Sequence, residues 1–174
     1  MMAGRLALIL GGARSGKSRR AEALVLDWGG EPVYLATAEP FDDEMRARVV
    51  QHRADRDGRG WITVEEPLEL TAALVREATV GRTVLVECLT TWLGNLMVHE
   101  RPVELEIDRM LAWLDGRQLG DLVLVGNEVG LGIVPENRMA RAFRDHAGRL
   151  HQELAARAGR VELVIAGLPM VVKA

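Results

Sequence analysis

The segment Gly11-Gly12-Ala13-Arg14-Ser15-Gly16-Lys17-Ser18 follows the apolar run Leu6-Ala7-Leu8-Ile9-Leu10 and precedes a helical pattern of Ala21, Leu24, Val25 and Trp28 that stops at Gly29-Gly30. A buried strand, a Gly-rich turn and a helix in that order admit few folds. The glycines let backbone N–H groups turn toward a polyphosphate, and the new helix presents its positive dipole end at the same place. In such a loop Lys17 reaches the outer phosphates and the Ser18 hydroxyl sits on Mg²⁺. The chain is therefore expected to bind a nucleoside triphosphate.

The remaining apolar β-rich runs, Pro32–Ala36, Trp61–Val64, Thr83–Leu89, Asp121–Gly126 and Val161–Ala166, alternate with helical patterns. Those patterns cover about Asp42–Arg56, Pro67–Ala78, Thr91–Val98, Val103–Asp115 and Asn137–Ala158. In the last of them Met139, Ala140, Phe143, Ala147, Leu150 and Leu154 form one apolar stripe. Alternating β and α units with near-continuous apolar strands predict an α/β fold, a mostly parallel sheet with helices on both faces. Ligands of such sheets lie beyond the carboxyl ends of the strands. At 174 residues, without repeats or linkers, the chain reads as a single domain over 1–174.

The formal charge of −3 argues against a non-specific nucleic-acid partner, which calls for a basic excess. No apolar stretch approaches a membrane span and no signal peptide is visible, so a cytoplasmic location without membrane insertion is expected. The single cysteine, Cys88, falls in an apolar strand run and reads as an inert core thiol.

Three segments beyond the phosphate loop carry chemistry. Thr83-Val84-Leu85-Val86-Glu87 is an apolar strand ending in an acid, and an acid there holds Mg²⁺ or its water opposite the loop hydroxyl. The alternative is a carboxylate that caps the next helix. In Asp42–Arg56, Met45, Arg48, His52 and Asp55 or Arg56 share one helical stripe. A solvated face is the ordinary reading of such a charge run. Its place after the strand Pro32–Ala36, whose end is expected to open beside the phosphate loop, gives it a second reading. As a neutral imidazole among arginines, His52 can attack phosphorus while guanidinium groups stabilise the developing charge. The stretch from Gly126 and Asn127 to Asn137 is a second Gly-rich turn after a strand, long enough to bind or gate a ligand, or else a crossover in which Asn137 caps a helix. His99, in a polar linker, and His146 and His151, on the long helix, read as surface or packing residues.

Four blocks together resemble the bifunctional adenosylcobinamide kinase / adenosylcobinamide-phosphate guanylyltransferase family of cobalamin biosynthesis. They are Gly11–Ser18, Tyr34–Ala38 followed by Asp43-Glu44-Met45 and His52, Glu87-Cys88-Leu89-Thr90, and Asn127–Asn137 continuing into Phe143-Arg144-Asp145. The resemblance runs from the phosphate loop to Ala166-Gly167-Leu168-Pro169. It implies a RecA-like P-loop fold and, typically, a trimer. It implies that ATP or GTP phosphorylates adenosylcobinamide, and that GMP from GTP then passes to adenosylcobinamide phosphate through a covalent bond to His52. It carries nucleotide contacts to Ala36, Thr37, Ala38, Arg53, Ala54, Asp55, Arg56 and Glu65, beside Gly11, Gly12, Ala13, Arg14, Ser15, Gly16, Lys17, Ser18 and Glu87. Mg²⁺ falls to Ser18 and Glu87. Gln51 precedes His52 where some relatives have paired histidines, and His151 stands where many have asparagine.

Two other classes fit the loop less well. A regulatory GTPase needs an Asn-Lys-x-Asp run, and Asn127-Glu128 lacks the lysine. A RecA-like ATPase acting on nucleic acid needs a basic-aromatic stripe that this acidic chain lacks. A simple small-molecule kinase, with His52 as a helix-surface residue, is separated from the bifunctional enzyme only by the resemblance.

Overall fold

A computed structural model of the chain describes residues 4–39, 58, 60–116 and 120–174. The expected helix Asp42–Arg56 lies outside the described residues. Strand β1 (Leu6–Gly11) feeds the phosphate loop and helix α1 (Lys17–Trp28). β2 (Glu31–Ala36) and β3 (Ile62–Glu65) precede α2 (Leu70–Glu77) and β4 (Arg82–Glu87). Then come α3 (Leu89–Val98), α4 (Val103–Gly116), β5 (Asp121–Asn127), α5 (Arg138–Arg157), β6 (Arg160–Ile165) and β7 (Leu168–Lys173).

The seven strands form one sheet in the order β3-β2-β4-β5-β1-β6-β7, parallel except for β7, which runs antiparallel to β6. Side chains alternate between two cores, as a doubly covered sheet requires. Leu6 and Leu8 of β1, Val84 and Val86 of β4, and Leu122 and Leu124 of β5 meet α2, α3, α4 and α5 on one face. Ala7 and Ile9, Leu85, and Val123 and Val125 meet Ala21, Leu24 and Val25 of α1 on the other. This is the expected α/β architecture. The chain leaves β1 over one face and returns to β6 over the other, so the carboxyl end of β1 is the topological switch point.

Three expectations need correction. β2 does not open directly beside the phosphate loop: β4 and β5 stand between it and β1, a separation of roughly 14 Å at about 4.8 Å per strand step. Cys88 is not in the strand. β4 ends at Glu87, the Glu87–Cys88 peptide is cis, and Cys88 is the N-cap of α3, its sulfur accepting from the Thr91 N–H at 3.4 Å. It is buried, with its sulfur 3.1 Å from Thr90 Oγ1 and 3.0 Å from Thr91 Oγ1. Finally, β7 is a strand that hydrophobic patterning left unassigned. Ala166 and Gly167 have φ values of 51° and 80°, as a two-residue type I′ turn requires. They join β6 to an edge strand in which Pro169, lacking an N–H, is tolerated.

Candidate active site

The phosphate loop is built where backbone must replace side chain. A Cβ on Gly11 would stand 2.8 Å from the Val164 carbonyl oxygen and closer still to Ser15 Oγ, so only glycine fits beside the turn. Arg14 and Gly16 have φ values of 56° and 93°, the left-handed conformations that aim successive N–H groups into one concavity. Gly16 also starts α1, accepting from the Arg20 N–H at 3.0 Å. Gly12, Ala13 and Arg14 are exposed at the rim while Ser15 and Lys17 are buried. From the far side the turn between β6 and β7 supports the loop, with the Gly167 N–H donating to the Ser15 carbonyl at 2.8 Å.

Two charged side chains converge on this cradle. Lys17 folds back so that Nζ donates to the Gly12 carbonyl at 3.4 Å, a long bond that bound phosphates can replace. Ser18 Oγ donates to Glu87 Oε1 at 2.9 Å across α1 and the end of β4. A hydroxyl and a carboxylate at that distance suit Mg²⁺, which takes one or two protein oxygens and fills its shell with water and substrate phosphate. No group of three or more His, Cys, Asp or Glu side chains forms a metal cage among the described residues.

Glu65, Ala36 and Glu87 lie side by side on β3, β2 and β4 in one rung of the sheet. Glu65 is exposed, whereas Thr37 is fully buried. The Thr37 hydroxyl donates to the Cys88 carbonyl at 2.8 Å and accepts from the Cys88 N–H at 2.9 Å. Its own N–H donates to the Glu87 carbonyl at 3.0 Å. Asn95 Nδ2 donates to the Thr37 carbonyl at 2.7 Å and to the Pro67 carbonyl at 3.0 Å. Thr37 thus locks the ends of β2 and β4 together, and its side chain faces protein. Ala38, half-buried, comes next. His52, Arg53, Ala54, Asp55 and Arg56 lie outside the described residues.

Patterning also passed over an ion-pair cluster behind the cradle. Glu162 is 0% exposed and accepts from Arg20 Nε at 2.7 Å, Arg20 Nη2 at 2.8 Å and Arg160 Nε at 2.7 Å. The hydrogen bond from Arg20, then that from Arg160, holds its carboxyl below the ordinary carboxylate value against the opposing effect of burial. The bidentate pair ties the second turn of α1 to β6 and so fixes the helix whose first turn is the cradle. Strand alternation signals it, because an acid inside Val161-Glu162-Leu163 needs a cation on the α1 face.

The long turn after β5 caps α5, the alternative reading of that stretch: Asn137 Oδ1 accepts from the Met139 N–H at 2.8 Å and the Ala140 N–H at 3.2 Å. Before the cap, Leu131 and Ile133 are 87% and 96% exposed. His151 is a packing residue, buried on α5, and a Cβ on Gly126 would stand 2.5 Å from its Nε2. Burial lowers its pKa, opposed by the charge of Glu128. His99 Nε2 lies 2.8 Å from Glu39 Oε2.

Comparisons with known proteins agree along the chain. A family model described as cobinamide kinase / cobinamide phosphate guanyltransferase matches residues 7–172. The bifunctional adenosylcobalamin biosynthesis protein CobP of Pseudomonas aeruginosa is 49% identical, the alignment covering 95% of this chain and 96% of that one. The corresponding CobU proteins of Escherichia coli and Salmonella typhimurium are 42% and 41% identical, each alignment covering 95% of this chain and 98% of the relative. A solved structure from Pyrococcus horikoshii OT3 has a TM-score of 0.52 at 11% identity, covering 100% of this chain and 88% of that one; it bears on the fold alone.

Proposed function

Because the chain belongs to the cobinamide kinase / cobinamide phosphate guanyltransferase family, we propose that it runs both reactions at the nucleotide site around Gly11–Ser18. The observation that carries this reading is the Ser18–Glu87 pair at 2.9 Å beside a phosphate cradle, in a chain that the family matches from residue 7 to 172. In the kinase reaction the backbone of Gly11–Ser18 and Lys17 hold the triphosphate. The γ-phosphoryl group of ATP or GTP passes to the aminopropanol hydroxyl of adenosylcobinamide. Ser18 Oγ and the Glu87 carboxylate would hold Mg²⁺, which would supply charge neutralisation for the transferring phosphoryl group.

In the guanylyl reaction His52 is the nucleophile. Its neutral imidazole nitrogen bonds to the α-phosphorus of GTP while the bond to the pyrophosphate oxygen breaks, and pyrophosphate departs with the electron pair. An oxygen of adenosylcobinamide phosphate then displaces the imidazole and yields adenosylcobinamide-GDP. Imidazole suits both steps because it attacks readily and leaves readily. Arg53, Ala54, Asp55 and Arg56 beside it, and Ala36, Ala38 and Glu65 at the strand ends, line the nucleotide. Thr37 acts by fixing the end of β2. The exposed Leu131 and Ile133 offer the corrinoid an apolar surface. A trimer in the cytoplasm completes the reading.

Incubation with α-labelled GTP and Mg²⁺ tests it. Intact-mass analysis should show one GMP added per chain, acid-labile and base-stable as a phosphoramidate is, with the adduct mapping to His52. A wild-type protein that stays unlabelled while phosphorylating cobinamide would reduce the assignment to a simple kinase.

A further inference from the structure

Asn127 closes β5 opposite Gly11, where β1 passes into the phosphate loop. Its backbone is fixed from two sides. The Asn127 N–H donates to Thr90 Oγ1 at 3.1 Å, and the following N–H, of Glu128, donates to the Gly11 carbonyl at 2.9 Å. Val123 and Val125 of the same strand face α1, so alternation turns the Asn127 side chain to that face as well. That is the face from which Ser18 meets Glu87. Asn127 Oδ1 is nevertheless buried without a hydrogen-bond donor among the described residues. A buried amide oxygen in that state is costly, and native structures seldom keep one without a use. The missing partner must donate a hydrogen bond. Triphosphate oxygens only accept at neutral pH, whereas an attacking hydroxyl donates.

We infer that Asn127 is a catalytic residue of the phosphoryl-transfer reaction: its carboxamide oxygen accepts a hydrogen bond from the attacking hydroxyl of the acceptor alcohol and aligns that oxygen on the γ-phosphorus. The inference rests on the kinase reading above and extends it to the acceptor side. In the step, the hydroxyl oxygen bonds to the γ-phosphorus as the bond from that phosphorus to the β,γ-bridging oxygen breaks. The electron pair leaves with the nucleoside diphosphate, and the hydroxyl proton passes to water. A neutral carboxamide does not keep a proton, so Asn127 orients the nucleophile and is not its base.

The test compares wild type with Asn127→Ala and Asn127→Ser in three measurements: cobinamide phosphorylation, ATP affinity, and slow ATP hydrolysis without acceptor, in which water takes the place of the hydroxyl. Asn127→Ala should lower kcat for phosphorylation by roughly 100-fold, with hydrolysis falling in parallel, as loss of one aligning hydrogen bond does. ATP affinity should stay within about twofold of wild type, and Asn127→Ser, which keeps an acceptor oxygen, should recover part of kcat. Phosphorylation by Asn127→Ala within about threefold of wild type, or a loss of ATP affinity equal to the loss of kcat, overturns the assignment. If Asn127→Ala fails to fold, Asn127→Ser decides: wild-type kcat for both phosphorylation and hydrolysis overturns it, and a fall in both at unchanged ATP affinity supports it. A wild type that hydrolyses ATP without phosphorylating cobinamide refutes the kinase reading, and the hydrolysis rates alone then decide the role of Asn127.

Discussion

Ser18 Oγ and Glu87 Oε1 lie 2.9 Å apart, joining the first turn of α1 to the end of β4 across the floor of the phosphate site. The hydroxyl and carboxylate reach this position from segments 69 residues apart in the chain. Glu87→Gln keeps an oxygen to accept from Ser18 and removes the charge that a divalent cation needs. It should lower kcat for phosphorylation on the order of 100-fold and raise the Mg²⁺ concentration for half-maximal rate. Steady-state rates titrated with Mg²⁺ give both values, and unchanged Mg²⁺ dependence would detach Glu87 from the metal.

The two half-reactions should separate by mutation. His52→Ala is expected to abolish covalent labelling by α-labelled GTP while cobinamide phosphorylation stays within about threefold of wild type. Lys17→Ala should depress both by roughly 100-fold or more, because each donor depends on the same phosphate contacts. Label retained by His52→Ala would place the nucleophile elsewhere.

Arg20→Met should destabilise the protein. It leaves Glu162, wholly buried, with Arg160 alone of its two partners, at a cost of about 2 kcal/mol. For a chain of this size that lowers Tm by roughly 4–8 °C. The pH dependence has a definite sign. Because its folded-state pKa lies below the ordinary value of 4.5, Glu162 contributes stability that is present above that pH. That stability is lost as pH falls through the lower folded value. Calorimetry on both proteins from neutral to acid pH should show a shallower acid decline in the variant.

His151 acts at higher pH. Burial lowers its pKa from the ordinary 6.5, with the Glu128 charge opposing. Below that value the unfolded chain binds a proton that the folded chain refuses, so stability falls as pH drops from about 6.5 toward the folded value. His151→Asn removes that titration and should flatten the decline. Urea unfolding at stepped pH values measures it, and parallel profiles would show that the imidazole is not held neutral.

The cradle was legible in the sequence because its chemistry is contiguous: the strand, the glycines, Lys17 and Ser18 all lie within thirteen residues, Leu6–Ser18. Most strands were legible because burial on both faces leaves uninterrupted apolar runs. Strand order was not legible. Nothing in Pro32–Ala36 declares that β4 and β5 separate it from β1, since the crossover is set by how the whole sheet packs. Cys88 was misjudged for a related reason: Thr37, which holds it, is 51 residues away and meets it only when β2 pairs with β4. Glu162 was readable from strand alternation, but Arg20, its partner, lies 142 residues away. β7 escaped because all six of its residues are exposed, so its apolar side chains carry no inside-outside alternation.

The bond from Gly167 to Ser15 gives this outermost hairpin a disproportionate reach. Removing Gly167–Lys173 would strip an unburied ribbon together with the brace of the nucleotide site. Protein trimmed in that way would hold triphosphate poorly.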